Sequence, residues 1–175
     1  MRPRLPNSIA SSATISPLRA ASAKARLRPP ALTLPSAKAA VDAYTGESRV
    51  RRMLAVCDAG RILNPKTARS QVIGGMTMGL GAALMEELAV DKRFGFFVNH
   101  DLAGYEVPVH ADIPHQEVIF LGGSDDKSSP MKAKGVGELG ICGVGAAIAN
   151  AVYNACGVRV RDYPITLDKM LDRMA

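Results

Sequence analysis

The stretch Leu139–Cys156, LGICGVGAAIANAVYNAC, carries no charged residue from end to end. A helix without a polar face needs cover on almost every side. The rest of the chain must therefore supply other elements to enclose it. Gly157 follows directly and suits a C-terminal cap, because glycine takes the left-handed backbone there without steric cost.

Residues 65–88 offer the partner. Asn64-Pro65 reads as an N-cap followed by proline at the first helical position. Ile73, Met76, Leu80, Leu84 and Leu88 then recur at helical spacing, which predicts a helix over 65–88. The same segment holds Gly74, Gly75, Gly79 and Gly81. Each interior glycine costs about 1 kcal/mol relative to alanine, so the four cost ~4 kcal/mol unless something offsets it. Gln71, Gly75 and Gly79 stand four residues apart and share a face. So smooth a face admits either close packing by another element or a wide ligand. The residues alone leave both open.

The other segments read as mixed structure. Residues 50–58, VRRMLAVCD, predict a strand with an apolar centre, and residues 116–121, QEVIFL, predict another. Residues 93–95 read as a turn, 96–109 as an irregular strand, and 122–130, GGSDDKSSP, as a polar loop. Residues 158–161 suggest a short strand, and 167–173 a terminal amphipathic helix. The fold class is α+β: mixed strands with two buried, glycine-containing helices.

A chain of 175 residues is enough for one domain with a real core. Aromatic residues make up 5% and Trp is absent, so that core leans on Ala, Val, Ile, Leu and Met. The formal charge of +6 is uneven: residues 1–40 hold seven Lys or Arg and no acid, while 41–175 hold 15 basic and 16 acidic residues. The body lacks the basic face that nucleic-acid binding requires. Residues 1–40 have the composition of a disordered segment, or of a transit peptide, or of a non-native extension ahead of the domain, whose body spans 48–175. No secretory signal is expected, and no apolar run approaches the ~18 residues of a membrane span. Cys57, Cys142 and Cys156 form no C-x-x-C pair. They suit no cluster or metal site and read as small buried hydrophobes.

Residues 131–145, MKAKGVGELGICGVG, contain a literal G-x-G-x-x-G at Gly135, Gly137 and Gly140, with Glu138 among the glycines. Asp162 stands 22 residues after Gly140, near where a ribose-binding acid belongs. A dinucleotide loop, however, must come off a buried apolar strand. The preceding residues 128–134, SSPMKAK, do not make one. The alternative is a backbone surface whose successive N–H groups face an anionic or carbonyl-bearing ligand. Glu138, where loop becomes helix, reads either as a complement to the helix dipole or as a working base.

Three segments together resemble the C-terminal end of the molybdenum-binding large subunit of the xanthine dehydrogenase and aldehyde oxidase family, nearest its bacterial aldehyde oxidoreductase branch. They are VCDAGRILNPKTARSQVIGGMTMGLGAALMEEL, FVNHDLAGYEVPVHADIP and AKGVGELGICGVGAAIANAVYNACGVRVRDYPIT, covering about residues 48–171 in the family's order. The resemblance implies a molybdenum-molybdopterin cofactor, in bacteria often the cytosine dinucleotide form. It implies oxidation of aldehydes or N-heterocycles with water as oxygen source. It makes Glu138 of the K-G-V-G-E motif the active-site base. It places the backbone of Lys134, Gly135, Val136 and Gly137 beside the cofactor and has Gln71 hydrogen-bond to it. No protein side chain is a metal ligand in this picture.

Family subunits are several times longer, so the resemblance also implies a C-terminal fragment of a larger molybdopterin-binding domain. Its partners would be the missing N-terminal half, an iron–sulfur subunit, an FAD subunit and a small-molecule substrate. Nucleic acid and membrane are not among them. A cytoplasmic location is implied, or a periplasmic one reached through a partner subunit. Two other functions stay open on the residues: a non-catalytic interaction module and a dinucleotide-binding module.

Overall fold

Alternation of small and polar residues builds the sheet that carries everything else. The computed structural model describes residues 11–12 and 31–174. Strand β1 (Ser11–Ser12) pairs antiparallel with β2 (Leu32–Val41), and β2 pairs antiparallel with β3 (Ser48–Asp58). Helix α1 (Pro65–Leu84) leads on to β4 (Val90–Asp91), β5 (Phe96–Phe97) and β6 (His115–Phe120). Strand β6 lies parallel to β3, giving the order β1-β2-β3-β6. A parallel neighbour needs a long crossover, and α1 is the helix within it.

Asp42 shapes the β2–β3 turn. Its Oδ1 accepts from the N–H groups of Tyr44 and Thr45 at 2.9 and 2.8 Å, and Gly46 supplies φ 73°. Both hydrogen bonds hold its carboxyl below the ordinary carboxylate range. Val50 and Met53 are both buried although an odd spacing should put them on opposite faces. A bulge resolves this: Lys38 pairs with Arg52 and Ala39 with Val50, so Arg51 has no opposite residue.

Strand β2 corrects the expectation that residues 32–40 stand outside the folded body. Its buried face is made by Thr33, Pro35, Ala37 and Ala39, residues too small or too polar to advertise a hydrophobic period, with a proline that argues against a strand. Residues 1–10 and 13–30, to which the same expectation applied, lie outside the described residues.

Asn64 caps α1 as expected, its Oδ1 accepting from the Lys66 and Thr67 N–H groups at 3.1 and 3.3 Å. The helix ends at Leu84, not 88. A continuing helix would bond the Ala83 carbonyl to residue 87. Instead Ile165 N–H donates to it at 2.7 Å. Leu88 is consequently exposed.

The uncharged segment is a 3-10 turn (Leu139–Ile141) followed by helix α2 (Val144–Cys156), broken at Gly143 with φ 79°. Gly157 caps α2 at φ 76°, its N–H donating to Tyr153 at 2.7 Å. Only one side of α2 is buried, through Val144, Ala147, Ile148, Ala151 and Val152. This corrects the expectation of burial all round. Leu139–Cys156 also corrects the expectation that no apolar run approaches the length of a membrane span: its 18 residues have a mean hydropathy of 1.4, long and apolar enough to cross one. Here its apolar side lies on β2 and α1 instead.

Three further expectations change. Within 96–109 only β5 is strand, pairing with β4 across the turn whose Gly95 has φ 74°. Residues 158–161 are irregular, although Val158 and Val160 are buried against the core. The terminal helix shrinks to α3 (Asp168–Leu171). The cysteines are a fourth correction: Cys57 is buried as expected and its thiol is pushed up by burial, but Cys142 is exposed and Cys156 half-buried.

Candidate functional site

The site is organised where β3 ends. Gly60 has φ 65°, and a Cβ there would stand 2.7 Å from the Lys132 carbonyl oxygen. Only glycine permits that approach. The Lys132 carbonyl accepts from both Arg61 N–H at 2.8 Å and Asp125 N–H at 3.0 Å. Two residues on, Lys134 N–H donates to the Ala59 carbonyl at 2.9 Å, and Gly60 and Ala133 form an antiparallel bridge. The loop before the glycine motif is thus stitched to the strand end.

Side chains reinforce the stitching. Asp125 is 7% exposed. Its carboxylate accepts from Ser128 Oγ at 2.6 Å, Lys127 N–H at 2.7 Å and Ser128 N–H at 3.1 Å. These bonds, the Ser128 hydroxyl first, and the nearby Lys134 ammonium bring its carboxyl down to about 2. Lys134 Nζ lies 3.6 Å from Asp125 Oδ2 and 3.9 Å from Asp58 Oδ1, with its side chain 10% exposed. The ammonium is therefore occupied within the protein, and so is the Lys134 N–H.

Beyond Lys134 the backbone opens out. Among the described residues, no protein acceptor is bonded to the N–H of Gly135, Val136, Gly137 or Glu138. A Cβ on Gly135 or Gly137 would meet nothing within 4 Å. Glu138 is exposed and sits at φ 58°, ψ 4°. Lys132 and Glu138 are the two non-glycine residues with positive φ among those described. Such backbone costs a non-glycine residue about 1–2 kcal/mol and concentrates at functional sites.

Gln71, Lys134 and Val136 line one cleft of about 190 Å³, together with Ile62, Asn64 and Thr67. Gly135, Gly137 and Glu138 belong to the same loop but do not line that cleft. Lys134 also lines a second cleft of about 460 Å³, with Asp58, Gly122, Gly123 and Asp125. Lys134 thus stands between the two clefts. The run of free donors suits an acceptor-rich group such as a phosphate or a pterin carbonyl. Gln71 is exposed beside it.

The smooth helix face does not stay open for a ligand. A Cβ on Gly75 would stand 2.8 Å from Ile141 N, and one on Gly79 would stand 2.7 Å from Val144 Cβ. The 3-10 turn and α2 lie on that face, so close packing fills it. Only Gln71 at its start remains exposed. This same packing sets the site, because the turn resting on Gly75 begins directly after Glu138. Sequence reasoning missed Asp125, treating 122–130 as a plain polar loop. The spacing of Asp125 and Ser128 is the available signal, since an aspartate that bonds forward along the chain organises a turn.

The molybdopterin cofactor-binding domain family matches residues 30–114. The chain is 82% identical over 134 residues to the aldehyde oxidoreductase molybdenum-binding subunit PaoC of Escherichia coli K12, covering 77% of this chain and 18% of that protein. It is 37% identical over 151 residues to the xanthine dehydrogenase molybdenum-binding subunit of Escherichia coli O157:H7, covering 86% of this chain and 20% of that one. The aldehyde oxidoreductase structure from Desulfovibrio desulfuricans superposes with a TM-score of 0.71 at 34% identity, over 79% of this chain and 15% of that one. The chain thus spans no more than a fifth of the length of these relatives. By sequence and by fold, it belongs to the aldehyde oxidoreductase and xanthine dehydrogenase family, as a partial region of the molybdenum-binding subunit.

Proposed function

We propose that this region holds part of a molybdenum-molybdopterin cofactor against residues 134–137 and Gln71, and that Glu138 is the base for oxidation of an aldehyde or N-heterocycle with water as oxygen source. One observation carries the reading: four successive N–H groups free of protein acceptors end at an exposed carboxylate held in left-handed backbone. Gly135, Val136 and Gly137 donate to the cofactor through their backbone, and the Gln71 amide adds a side-chain contact. The Lys134 N–H and ammonium are committed to Ala59, Asp125 and Asp58, so Lys134 serves as the loop's anchor more than as a donor. When bound, the cofactor supplies the two-electron redox chemistry, and the protein supplies orientation and proton removal. Glu138 takes the proton from the water-derived oxygen as that oxygen attacks the substrate carbon.

The family membership supports the cytosine dinucleotide form of the cofactor, with electrons leaving through iron–sulfur and FAD centres on partner subunits. PaoC is itself a molybdenum-binding subunit, in keeping with such an assembly. The rest of the large subunit completes the substrate pocket. We place the assembly in the cytoplasm, or in the periplasm where a partner subunit carries it there.

The test is Glu138→Gln in a molybdenum-loaded subunit carrying this region. Losing a positioned general base costs about 10²–10⁴-fold, so turnover should fall by at least that range while molybdenum content stays normal. Unchanged turnover would remove Glu138 from the reaction.

A further inference from the structure

Residues 134–138 can present donors and a carboxylate usefully only if their starting point is fixed. Nothing in the glycines themselves fixes it, since glycine is the least restrained residue. The restraint comes from outside the motif. Asp125 contributes twice: its N–H shares the Lys132 carbonyl with Arg61 N–H, and its carboxylate faces Lys134 Nζ at 3.6 Å. That carboxylate is in turn held by three bonds from Lys127 and Ser128. Gly60 lets the assembly close, with Asp125 Cβ 3.3 Å from where a Gly60 Cβ would be. The chain therefore passes from the end of β3, through a buried carboxylate, to the residue where the open loop begins.

We propose that Asp125 is a positioning residue: through Lys134 and the Lys132 carbonyl it fixes where residues 135–138 leave the sheet, and so where the Glu138 carboxylate stands. The proposal deepens the reading of Glu138 as base and rests on it for its catalytic consequence. Its structural part stands on the apo chain alone. Buried charge-assisted contacts are the strong ones, and losing one partner leaves the other unsatisfied.

Two arms test it. In the 175-residue chain, amide hydrogen exchange is measured residue by residue for the wild type, Asp125→Asn, Lys134→Arg and Lys134→Met. Asp125→Asn and Lys134→Met should speed exchange of the Arg61 and Lys134 amides by about 10-fold or more, while the α1 amides of Val72, Met76 and Leu80 stay protected. Lys134→Arg keeps the positive charge and should hold the wild-type pattern. Equal acceleration in α1, or none at Arg61 and Lys134, overturns the proposal. In the molybdenum-loaded subunit, Asp125→Asn should lower kcat about 10-fold or more with KM little changed, because misplacing a base costs chemistry more than binding. Unchanged kcat for Asp125→Asn beside a strong loss for Glu138→Gln overturns the positioning role and keeps the base. A local exchange effect beside a neutral Glu138→Gln keeps the anchor and removes the base.

Discussion

At the scale of single residues, Glu138 combines a chemical role with a conformational cost. Its φ of 58° is the conformation that glycine adopts freely and glutamate does not. If the backbone here were chosen for stability alone, glycine would be the better residue. Glu138→Gly should therefore raise the stability of the chain by about 0.5–1 kcal/mol, the relief of strain less the added entropy of the unfolded chain. Thermal unfolding should show this as a Tm rise of ~1–3 °C. A Tm that falls would mean the carboxylate makes a stabilising contact that the structure does not contain. The K-G-V-G-E spelling was legible as a motif, and so was its resemblance to the family's base. The positive φ was not, because a backbone angle at a non-glycine residue is imposed by the turn resting on α1 and leaves no mark in residue type.

At the scale of elements, the glycines of α1 divide by what they face. Gly74 has open space around it, whereas Gly75 lies under the backbone of Gly140 and Ile141. The two substitutions should therefore differ in sign. Gly74→Ala is expected to stabilise the chain by up to ~1 kcal/mol through helix propensity alone. Gly75→Ala is expected to destabilise it by about 1–3 kcal/mol, because the neighbour is backbone and cannot turn aside. Chemical denaturation of the pair measures both, and equal effects would mean that α1 and the 3-10 turn are not in close contact. The period of the helix and the shared face of Gln71, Gly75 and Gly79 are legible along the chain, but whether protein or ligand lies on that face is not. Strand β2 shows the reverse difficulty. Ala37 and Ala39 are fully at home in the core, yet alanine carries too little apolar surface for its burial to be read from spacing.

At the scale of the whole molecule, the sheet has one covered face and one open face. The helices lie over the face that carries Met53, Ala55 and Cys57. The opposite face carries the row Leu34, Val56 and Ile119, which the register places side by side. Leu34 is 46% exposed and Ile119 is 43% exposed, with Leu32 and Leu121 also exposed. Apolar patches of this kind promote association. The double substitution Leu34→Ser and Ile119→Ser should raise the concentration at which the isolated chain stays monodisperse in light scattering, with its helical circular dichroism retained. No gain in monodispersity would show that this face does not drive association.

The sequence by itself determined the elements whose signals are local: the Asn64 cap, the strand over 50–58, the Gly157 stop, and the motif that ends in Glu138. Each rests on residue types acting on near neighbours, so each can be read along one line of text. The tertiary structure alone decided that α1 stops at Leu84, that the smooth glycine face is packed, and that Asp125 anchors Lys134 nine positions away in the chain. These depend on which backbone groups from distant segments arrive first at the same carbonyl, the same glycine or the same buried charge. Close packing and hydrogen-bond competition settle such questions in space, where sequence separation carries no information.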